Sequence, residues 1–468
     1  MKRLARIVLF VAASLGLCEP ARSGAREAAS ARPDIIFIMA DDMGAADLSR
    51  DGAQGYQTPV LDRLAAEGVR FTQAYANSAV CSPTRTALLT GRYQYRFKAG
   101  LAEPNVKFPP GDELPLGTPT IASLLHQAGY RTALIGKWHV SRVPEFSPLR
   151  YGYNHFFGVA GGAADYFRHG YVSTTGGRSE LYDDDRVRER DGYLTDILAD
   201  EAVQFIEADD RRPLFLSLHF TAPHWPWEGP NDREHSARLT QMSDLAGGSL
   251  ETYGRMMVAM DAAIGRVLAA IESRGRSRNT LVVFTSDNGG ERYSNNWPFT
   301  GYKTELLEGG IRVPLFIRWP ERIKPGSVSS QVTISMDMVP TLLAAAGAPP
   351  APETDGMDIL PQAAGLANPV SRALYWRYNT ADQQALRDGD WKYLRIGSKE
   401  ALFDIARDPR ERADLKDVHP GILAALKAEW ATWNREMLPY PAASQGEGTT
   451  RTYIDRYAPG VARREAVE

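Results

Sequence analysis

Short apolar runs alternate with helical patterns along most of this chain, and no other feature constrains its fold as strongly. The runs are almost continuously apolar, which is typical of parallel strands that are buried on both faces. We predict strands at residues 34–40, 132–138, 213–220, 280–286 and 313–319. Helical spacing predicts helices at residues 59–69, 120–128, 194–208, 250–273 and 338–346. The alternation indicates an α/β fold with a doubly wound, mostly parallel sheet that is flanked by helices.

The pattern changes after a proline-rich break at residues 348–352. Short strands separated by turns follow at residues 373–402, and a helix is expected from near Pro420 to Met437. We therefore predict a first domain at residues 33–347, a smaller C-terminal α+β domain at residues 370–440 and a polar tail at residues 441–468.

The N-terminus is typical of a signal peptide. Three basic residues precede an apolar run at residues 7–17, which is too short to span a bilayer. A small-x-small cleavage site ends at Ser23, so we predict a signal peptide at residues 1–23. The mature protein is then expected to be periplasmic or secreted, with no membrane segment.

The chain has two cysteines. Cys18 lies in the predicted signal peptide, where Glu19 disfavours the alternative of a lipoprotein anchor. Cys81 would be the single cysteine of the mature protein, and it precedes Pro83, which suits the first turn of a helix that Gly91 would end. A thiol at a helix N-terminus can be reactive, whereas a free cysteine is commonly a small buried hydrophobe, and the spacing leaves both interpretations open.

Two of the predicted strands end in oxygen-rich pairs. Asp41 and Asp42 follow the first strand, and Asp287 and Asn288 follow the fourth. Either pair alone is more typical of a turn or a helix cap. Because parallel strands end at one edge of a sheet, the two pairs together indicate a site for calcium or magnesium.

The net charge is −3, so no nucleic-acid partner is expected, and a site for an anion must be locally basic. Lys137 and His139 close the second predicted strand, and alternation places them on one face with Trp138 on the other. Either residue alone would be ordinary as a solvated or structural side chain. A cation and an imidazole that share a face suit an anion site.

The motif from Cys81 through Pro83 to Arg85, followed by Thr90-Gly91-Arg92, resembles the signature of type I (formylglycine-dependent) sulfatases of the alkaline-phosphatase-like superfamily. The resemblance extends over roughly residues 33–415. It implies that a formylglycine-generating maturation enzyme oxidises Cys81 before export, and that the hydrated aldehyde supplies the attacking oxygen.

The same resemblance implies a role for each site residue. Asp41, Asp42, Asp287 and Asn288 would bind one calcium ion per chain, and Arg85 would hold the nucleophile. Lys137 and Lys303 would bind sulfate, His139 would hydrogen-bond the formylglycine hydrate, and His224 would protonate the leaving oxygen. Asp287 is the expected carboxylate that activates the nucleophile, whereas His219 is expected in the strand core and Glu305 as a solvated helix charge.

One loop departs from the family pattern, since residues 161–164 lack a serine that some relatives carry. Aromatic and polar residues in other loops suit a sugar ring or simple packing equally well: Asp165, Tyr166, His169, Trp225, Trp227, Trp297, Arg377 and Tyr378.

We expect hydrolysis of sulfate esters of a sulfated small molecule or glycan, most of all sulfated carbohydrate, with aryl sulfates as test substrates. Two alternatives remain. The chain could hydrolyse phosphonate or phosphate esters with the same constellation. It could also be a non-catalytic, secreted glycan-binding protein if Cys81 is not matured.

Overall fold

The computed structural model describes residues 32–105, 109–173, 178–242 and 247–441. The predicted signal peptide and all but the first residue of the predicted tail lie outside the described residues. Among the described helices, none combines the length and the apolar composition that a membrane crossing requires.

The described chain contains eighteen β-strands and ten α-helices. The strands are β1 (Asp34–Ala40), β2 (Val69–Phe71), β3 (Ala74–Tyr75), β4 (Arg131–Gly136), β5 (His155–Val159), β6 (Gly170–Tyr171), β7 (Arg178–Ser179), β8 (Leu181–Asp183), β9 (Arg186–Val187), β10 (Leu214–His219), β11 (Thr280–Ser286), β12 (Leu315–Arg318), β13 (Ser327–Ser329), β14 (Thr333–Ile334), β15 (Ala373–Tyr378), β16 (Gln383–Asp388), β17 (Trp391–Ile396) and β18 (Lys399–Asp404). The helices are α1 (Pro59–Glu67), α2 (Cys81–Thr90), α3 (Ile121–Gln127), α4 (Leu194–Glu207), α5 (Arg233–Arg238), α6 (Leu250–Ser273), α7 (Glu308–Ile311), α8 (Met338–Ala345), α9 (Leu360–Ala363) and α10 (Pro420–Asn434). All ten predicted elements of the first domain are present within two residues of their expected bounds.

A ten-stranded sheet forms the centre of the fold, in the order β13-β2-β12-β11-β1-β10-β4-β5-β8-β9. Its five middle strands, β11, β1, β10, β4 and β5, are parallel. The prediction of a mostly parallel sheet is confirmed for this middle part. It is wrong for the fifth predicted strand, because β12 runs antiparallel to β11. For β12 to run parallel to β11, the connecting chain would have to cross back along the full length of the sheet. The single helix described between these two strands is the short α7.

Both faces of the sheet are covered, as a doubly wound fold requires. Alternate residues of β1 explain this arrangement. Ile36 and Ile38 belong to one apolar cluster, together with buried residues of α1, α4 and α6. Ile35 and Phe37 belong to a second cluster, together with residues of α2, α3 and α8. The near-continuous apolar runs in the sequence therefore reflect burial on both faces of these strands.

The parallel arrangement brings the carboxyl ends of β1, β4, β10 and β11 to one edge of the sheet. Residues that directly follow these strands can therefore converge, although they are far apart in sequence.

Strands β15 to β18 form a separate four-stranded antiparallel sheet, against which α10 packs. This sheet and its helix confirm the predicted smaller α+β part of the fold, while the domain bounds 33–347 and 370–440 stay predictions. Trp376 of β15 donates a hydrogen bond to the backbone oxygen of Ala76 (2.9 Å). Lys392 of β17 is buried between the carboxylates of Glu308 (3.0 Å) and Glu411 (2.8 Å). The small sheet is thus tied to the residue that follows β3 and to α7, which leads into β12.

Candidate active site

Asp41 and Asp42 lie directly after β1 and are buried. Asp42 adopts a left-handed backbone conformation (φ 65°), which is strained for a residue with a side chain. Hydrogen bonds with the two residues that follow β11 hold Asp42 in this conformation. Asp42 N donates to Asp287 Oδ1 (3.2 Å), and Asn288 Nδ2 donates to Asp42 Oδ1 (2.7 Å). The structure thus brings the two predicted oxygen-rich pairs together.

Several features of these residues suit a hard divalent cation. Asp41 Oδ1 and Asn288 Oδ1 are buried and have no hydrogen-bond partner among the described residues. Asp41, Asp42, Cys81 and His224 each offer one ligand atom, and these atoms lie within 4.8 Å of one another. Buried oxygens without partners are costly unless something else binds them, and a cation would do so.

Cys81 is the first residue of α2 and is 1% exposed. The predicted helix is confirmed, since Pro83 lies in its first turn and Gly91 ends it at φ 71°. Burial raises the pKa of the Cys81 thiol; the ammonium groups of Lys137 and Lys303 oppose this shift, and the carboxylates of Asp41 and Asp287 add to it. An unmodified thiol at this position stays protonated, so the interpretation as a reactive thiolate is not supported.

Arg85 lies one helical turn after Cys81, and its guanidinium is directed at Asp287. Its Nε and Nη2 atoms donate to Asp287 Oδ2 (3.1 and 2.8 Å), and Nη1 donates to the backbone oxygen of Lys137 (3.1 Å). Burial alone would raise the pKa of Asp287, but the cations of Arg85 and Lys137 outweigh it and lower this pKa. Such a carboxylate is a weak base. The expected role of Asp287 in activating the nucleophile stays a prediction.

Asp41 differs from Asp287 in its ionisation. Burial, together with the charge of Asp287, raises the pKa of Asp41, and the cations of Lys137 and Arg85 oppose this shift. Both lysines that were predicted to bind sulfate pair with carboxylates in this structure. Lys137 Nζ lies 2.5 Å from Asp41 Oδ2, and Lys303 Nζ lies 2.7 Å from Asp42 Oδ2.

Lys137 and His139 reach the site by a different route from the one that strand alternation predicted. Strand β4 ends at Gly136, whose φ of 114° turns the chain before Lys137. Trp138 points into the core, where its ring lies 5.6 Å from that of Tyr151. The predicted separation of Trp138 from its two neighbours is therefore correct, but a turn causes it.

His139 is held in a left-handed conformation (φ 52°), and its Nε2 lies 3.0 Å from the backbone oxygen of Asn105. Burial lowers its pKa well below the ordinary value, and the charges of Lys137 and Arg85 lower it further. Gly162 packs against the ring, because a Cβ at that position would lie 2.5 Å from His139 Cε1. The loop that lacks the family serine thus presents bare backbone to this histidine.

His224 follows β10 in a loop, and its Nε2 lies 3.5 Å from Asp42 Oδ2. Its Nδ1 lies 2.6 Å from the backbone oxygen of Trp225, which fixes the ring and directs Nε2 toward the site. Burial lowers the pKa of His224 well below its usual value, and Lys303 and Lys137 add to the shift.

His219, the last residue of β10, is buried as predicted, but it is not surrounded only by apolar groups. Its Nδ1 lies 3.4 Å from Arg85 Nη1 and 3.3 Å from the backbone oxygen of Lys137. Burial and the charge of Arg85 lower the pKa of His219 to about 3, so the ring is neutral at physiological pH. The neutral His219 ring thus contacts the Arg85 guanidinium and helps to fix its position.

The segment after Lys303 differs from the sequence-based prediction in two respects. Glu305 is buried and lies outside any helix, so its prediction as a solvated helix charge is wrong. Gln383, in the small sheet, was missed altogether. Its Oε1 accepts from Leu306 N (2.9 Å), and its Nε2 donates to Thr304 O (2.9 Å). No local pattern could have linked it to a segment that lies 77 or more residues away.

The loop residues proposed to flank the site divide into two groups. Trp297 is 59% exposed, and Trp225 is half-buried with its ring 4.6 Å from that of His224. The remaining members are buried: Asp165, Tyr166, His169, Trp227, Arg377 and Tyr378.

Comparison with known proteins gives consistent matches. The family model described as sulfatase matches residues 33–348, and the one described as N-sulphoglucosamine sulphohydrolase, C-terminal, matches residues 302–431. Arylsulfatase J of Mus musculus is 30% identical, covering 90% of this chain and 79% of that protein. N-acetylgalactosamine-6-sulfatase of Mus musculus is 33% identical, covering 76% of this chain and 70% of that protein. The crystal structure of Ps i-CgsB in complex with k-i-k-neocarrahexaose has a TM-score of 0.79 at 29% identity, covering 92% of this chain and 98% of that one.

Proposed function

The chain belongs to the sulfatase family of the alkaline-phosphatase-like superfamily and is a sulfuric ester hydrolase; from this premise we propose that it acts on sulfated carbohydrate, using formylglycine made from Cys81 and one calcium ion. The observation that carries the proposal is the convergence of Cys81, Asp41, Asp42 and His224 within 4.8 Å, with Lys137 and Lys303 paired to the two carboxylates.

The state of Cys81 supports the conversion to formylglycine. Its buried thiol has a raised pKa, and a protonated thiol is a poor nucleophile. The hydrate of formylglycine supplies an oxygen nucleophile. Arg85, one turn further along α2, is fixed by Asp287 and helps to hold the negative charge near residue 81.

Lys137 and Lys303 would bind the sulfate group and neutralise the charge that develops on its oxygens, an electrostatic effect that is commonly the largest in catalysis. The ammonium groups of Lys137 and Lys303 each lie within 2.7 Å of a carboxylate, that of Asp41 or Asp42. Small movements of the two lysine side chains would let them also contact a sulfate group bound beside these carboxylates. His139, held by Asn105, would hydrogen-bond residue 81.

Calcium would be held by Asp41, Asp42, Asp287 and Asn288 and would supply positive charge beside the sulfate. The buried oxygens of Asp41 and Asn288 that lack partners among the described residues support this assignment. Asp287 is the least available of the four, because Arg85 occupies its Oδ2.

His224 is the proposed proton donor to the leaving oxygen. Its Nδ1 is fixed by Trp225, so Nε2 is the atom that faces the site. Burial and the neighbouring lysines lower its pKa, and the negative charge of a bound sulfate would oppose this shift and favour the imidazolium. A proton from such a group contributes about 10²–10⁴-fold when the leaving group is a poor one.

Carbohydrate is the proposed substrate class because of two tryptophan rings that are not fully buried. Trp225 adjoins His224, and Trp297 lies on the loop between Asn288 and Lys303. Indole rings offer apolar faces on which sugar rings stack. N-acetylgalactosamine-6-sulfatase among the relatives agrees with this class. We further propose export to the periplasm or the medium and an interaction with a formylglycine-generating maturation enzyme.

The proposal is tested on protein that is produced together with a formylglycine-generating enzyme. Peptide mass spectrometry is expected to find formylglycine at residue 81, and sulfate release is expected from a panel of sulfated mono- and disaccharides. Cys81→Ala is the matched control; it is expected to keep the fold and to release no sulfate. Active protein that contains only unmodified Cys81 would refute the formylglycine assignment. Faster turnover of phosphate or phosphonate esters than of every sulfate ester would refute the proposed substrate class.

A further inference from the structure

Glu291 lies at the start of the loop that connects Asn288 to Lys303, and the site assigned above does not use it. The preceding residue, Gly290, is held by hydrogen bonds at both its backbone N–H and its backbone carbonyl. Gly290 N donates to Asn296 Oδ1 (3.0 Å), and Gly290 O accepts from Lys303 N (3.0 Å). The backbone of Glu291 is therefore held in a defined position beside the segment that carries Lys303.

The carboxyl group of Glu291 is partly satisfied. The side chain is half-buried, but its Oε2 atom is buried and accepts no hydrogen bond from the described residues. The charges of Asp42 and Lys303 in the site, and of Arg292 in its own loop, act on this carboxyl group. Burial and the charge of Asp42 raise the pKa of Glu291, while Lys303 opposes the shift. A buried acceptor without a donor costs free energy, so its retention next to the site suggests a partner that is absent from the protein itself.

The chemistry of this partner follows from the charge. An anionic group would be repelled by Glu291 and by Asp42, whereas a hydroxyl or an amide N–H would provide the missing donor. We propose that Glu291 is a specificity-determining residue, and that its Oε2 accepts a hydrogen bond from a hydroxyl or amide N–H on the substrate next to the sulfate ester that is cleaved. This inference rests on the proposed function. The same carboxylate disfavours substrates that carry a second sulfate at that position.

The test uses two aryl sulfates that differ by one donor. 2-Hydroxyphenyl sulfate carries a hydroxyl next to the sulfate ester, and phenyl sulfate does not. No nitro group activates this hydroxyl, so it keeps its proton at neutral pH and can donate. The measured quantity is the ratio of their kcat/KM values, in the matured wild type and in Glu291→Ala. Because the difference in leaving group is the same for both enzymes, it cancels when the two ratios are compared.

The ratio is expected to fall about tenfold to a hundredfold in Glu291→Ala, which is the usual effect of losing a hydrogen bond between a substrate and a charged group. The fall should come from a higher KM for the ester that carries the hydroxyl, with kcat unchanged. Glu291→Gln keeps an acceptor oxygen and should recover part of the ratio. Glu272→Ala, at an exposed position on α6, is the matched control and should keep the wild-type ratio.

An unchanged ratio in Glu291→Ala would overturn the inference and leave the proposed function intact. Equal losses on both esters would also overturn it, since Glu291 would then act on the sulfate or the metal. If the matured wild type cleaved neither aryl sulfate but cleaved 4-nitrophenyl phosphate, the proposed function itself would fail, and the inference with it.

Discussion

Lys303 Nζ lies 2.7 Å from Asp42 Oδ2, so a residue proposed to bind sulfate is paired with a residue proposed to bind calcium. Calcium at Asp42 would lie beside the lysine ammonium, and the two like charges would repel each other. Lys303→Met should therefore abolish sulfate release and yet bind calcium about fivefold more tightly, since about 1 kcal/mol of repulsion is removed. The thermal midpoint as a function of calcium concentration measures this affinity without any turnover.

Lys399→Met, at an exposed position on β18, is the control and should leave calcium affinity unchanged. Weaker calcium binding by Lys303→Met would show instead that Lys303 orders Asp42 for the metal.

Gly162→Ala should impair catalysis although the residue carries no functional group. The new Cβ would lie 2.5 Å from His139 Cε1 and 2.6 Å from His139 Nε2, so the ring must move. A displacement of this kind commonly costs about 10²-fold in rate. We expect kcat/KM for 4-nitrophenyl sulfate to fall by about this factor. Gly421→Ala is the matched control, because a Cβ there meets nothing within 4 Å. Turnover at the wild-type rate would mean that His139 need not keep its observed position.

His224→Ala should slow sulfate release from a sugar far more than from an activated aryl ester. A phenolate leaves readily without a proton, whereas a sugar alkoxide does not, so only the sugar reaction depends on the imidazolium. His219→Ala removes a neighbour of Arg85 and should mainly reduce thermal stability. Rates for both substrates, measured on both variants, check this. Equal losses in His224→Ala would assign it to sulfate binding, and a loss in His219→Ala that depends on the leaving group would reverse the two roles.

Gln383→Ala should raise KM although the residue lies in the small sheet. Its amide holds Thr304, which has a left-handed backbone (φ 76°), and Leu306, so it fixes the turn that directly follows Lys303. Without the amide, Lys303 is less well placed for the anion, and KM for 4-nitrophenyl sulfate should rise about tenfold. The inhibition constant of inorganic sulfate should rise by the same factor.

Gln384→Ala changes the adjacent, half-buried glutamine and is expected to leave both constants unchanged. A Gln383→Ala protein with a lower thermal midpoint and wild-type sulfate affinity would limit Gln383 to a structural role.

Glu103 makes stability depend on pH. Burial raises its pKa to about 8 from an ordinary value of 4.5, although hydrogen bonds from Asn379 N and Tyr440 OH oppose the shift. Between pH 4.5 and 8 the folded protein keeps a proton that the unfolded chain releases. The contribution of Glu103 to the free energy of unfolding therefore falls as pH rises through this range, by at most about 1.4 kcal/mol per pH unit, and is constant above and below it.

Glu103→Gln mimics the protonated form and should remove this dependence. Denaturant unfolding at pH 5 and pH 8 should then give a smaller difference than in the wild type. Glu321→Gln, at an exposed position, should behave as the wild type does. A pH dependence that is identical in Glu103→Gln would show that the Glu103 carboxyl ionises normally in the folded protein.

The long, regular elements were predictable because burial on both faces leaves a clear apolar pattern. The bounds of β1, β11 and α6 agree with the sequence-based prediction at every residue. The direction of β12 was not predictable, because periodicity reports burial and not the path of the connecting chain. The approach of Lys137 depends on one glycine turn at Gly136, which the alternation rule ignores.

The candidate site shows the same division. Residues that follow strands, such as Asp42 and Asn288, could be grouped because the fold class brings strand ends together. The contacts of Gly162 and Gln383 could not be predicted, since bare backbone packed on a ring and an amide from a distant sheet leave no local signal.

The enclosure of α2 sets an order of events in the life of this protein. All ten residues of this helix are buried, Cys81 included, so a folded molecule offers a modifying enzyme no approach to the thiol. If Cys81 is converted to formylglycine as proposed, its oxidation must then take place on a chain that has not yet closed around it. Under the same proposal, the active fraction of a preparation is decided during synthesis, and treating purified, folded protein with the maturation enzyme should not increase it.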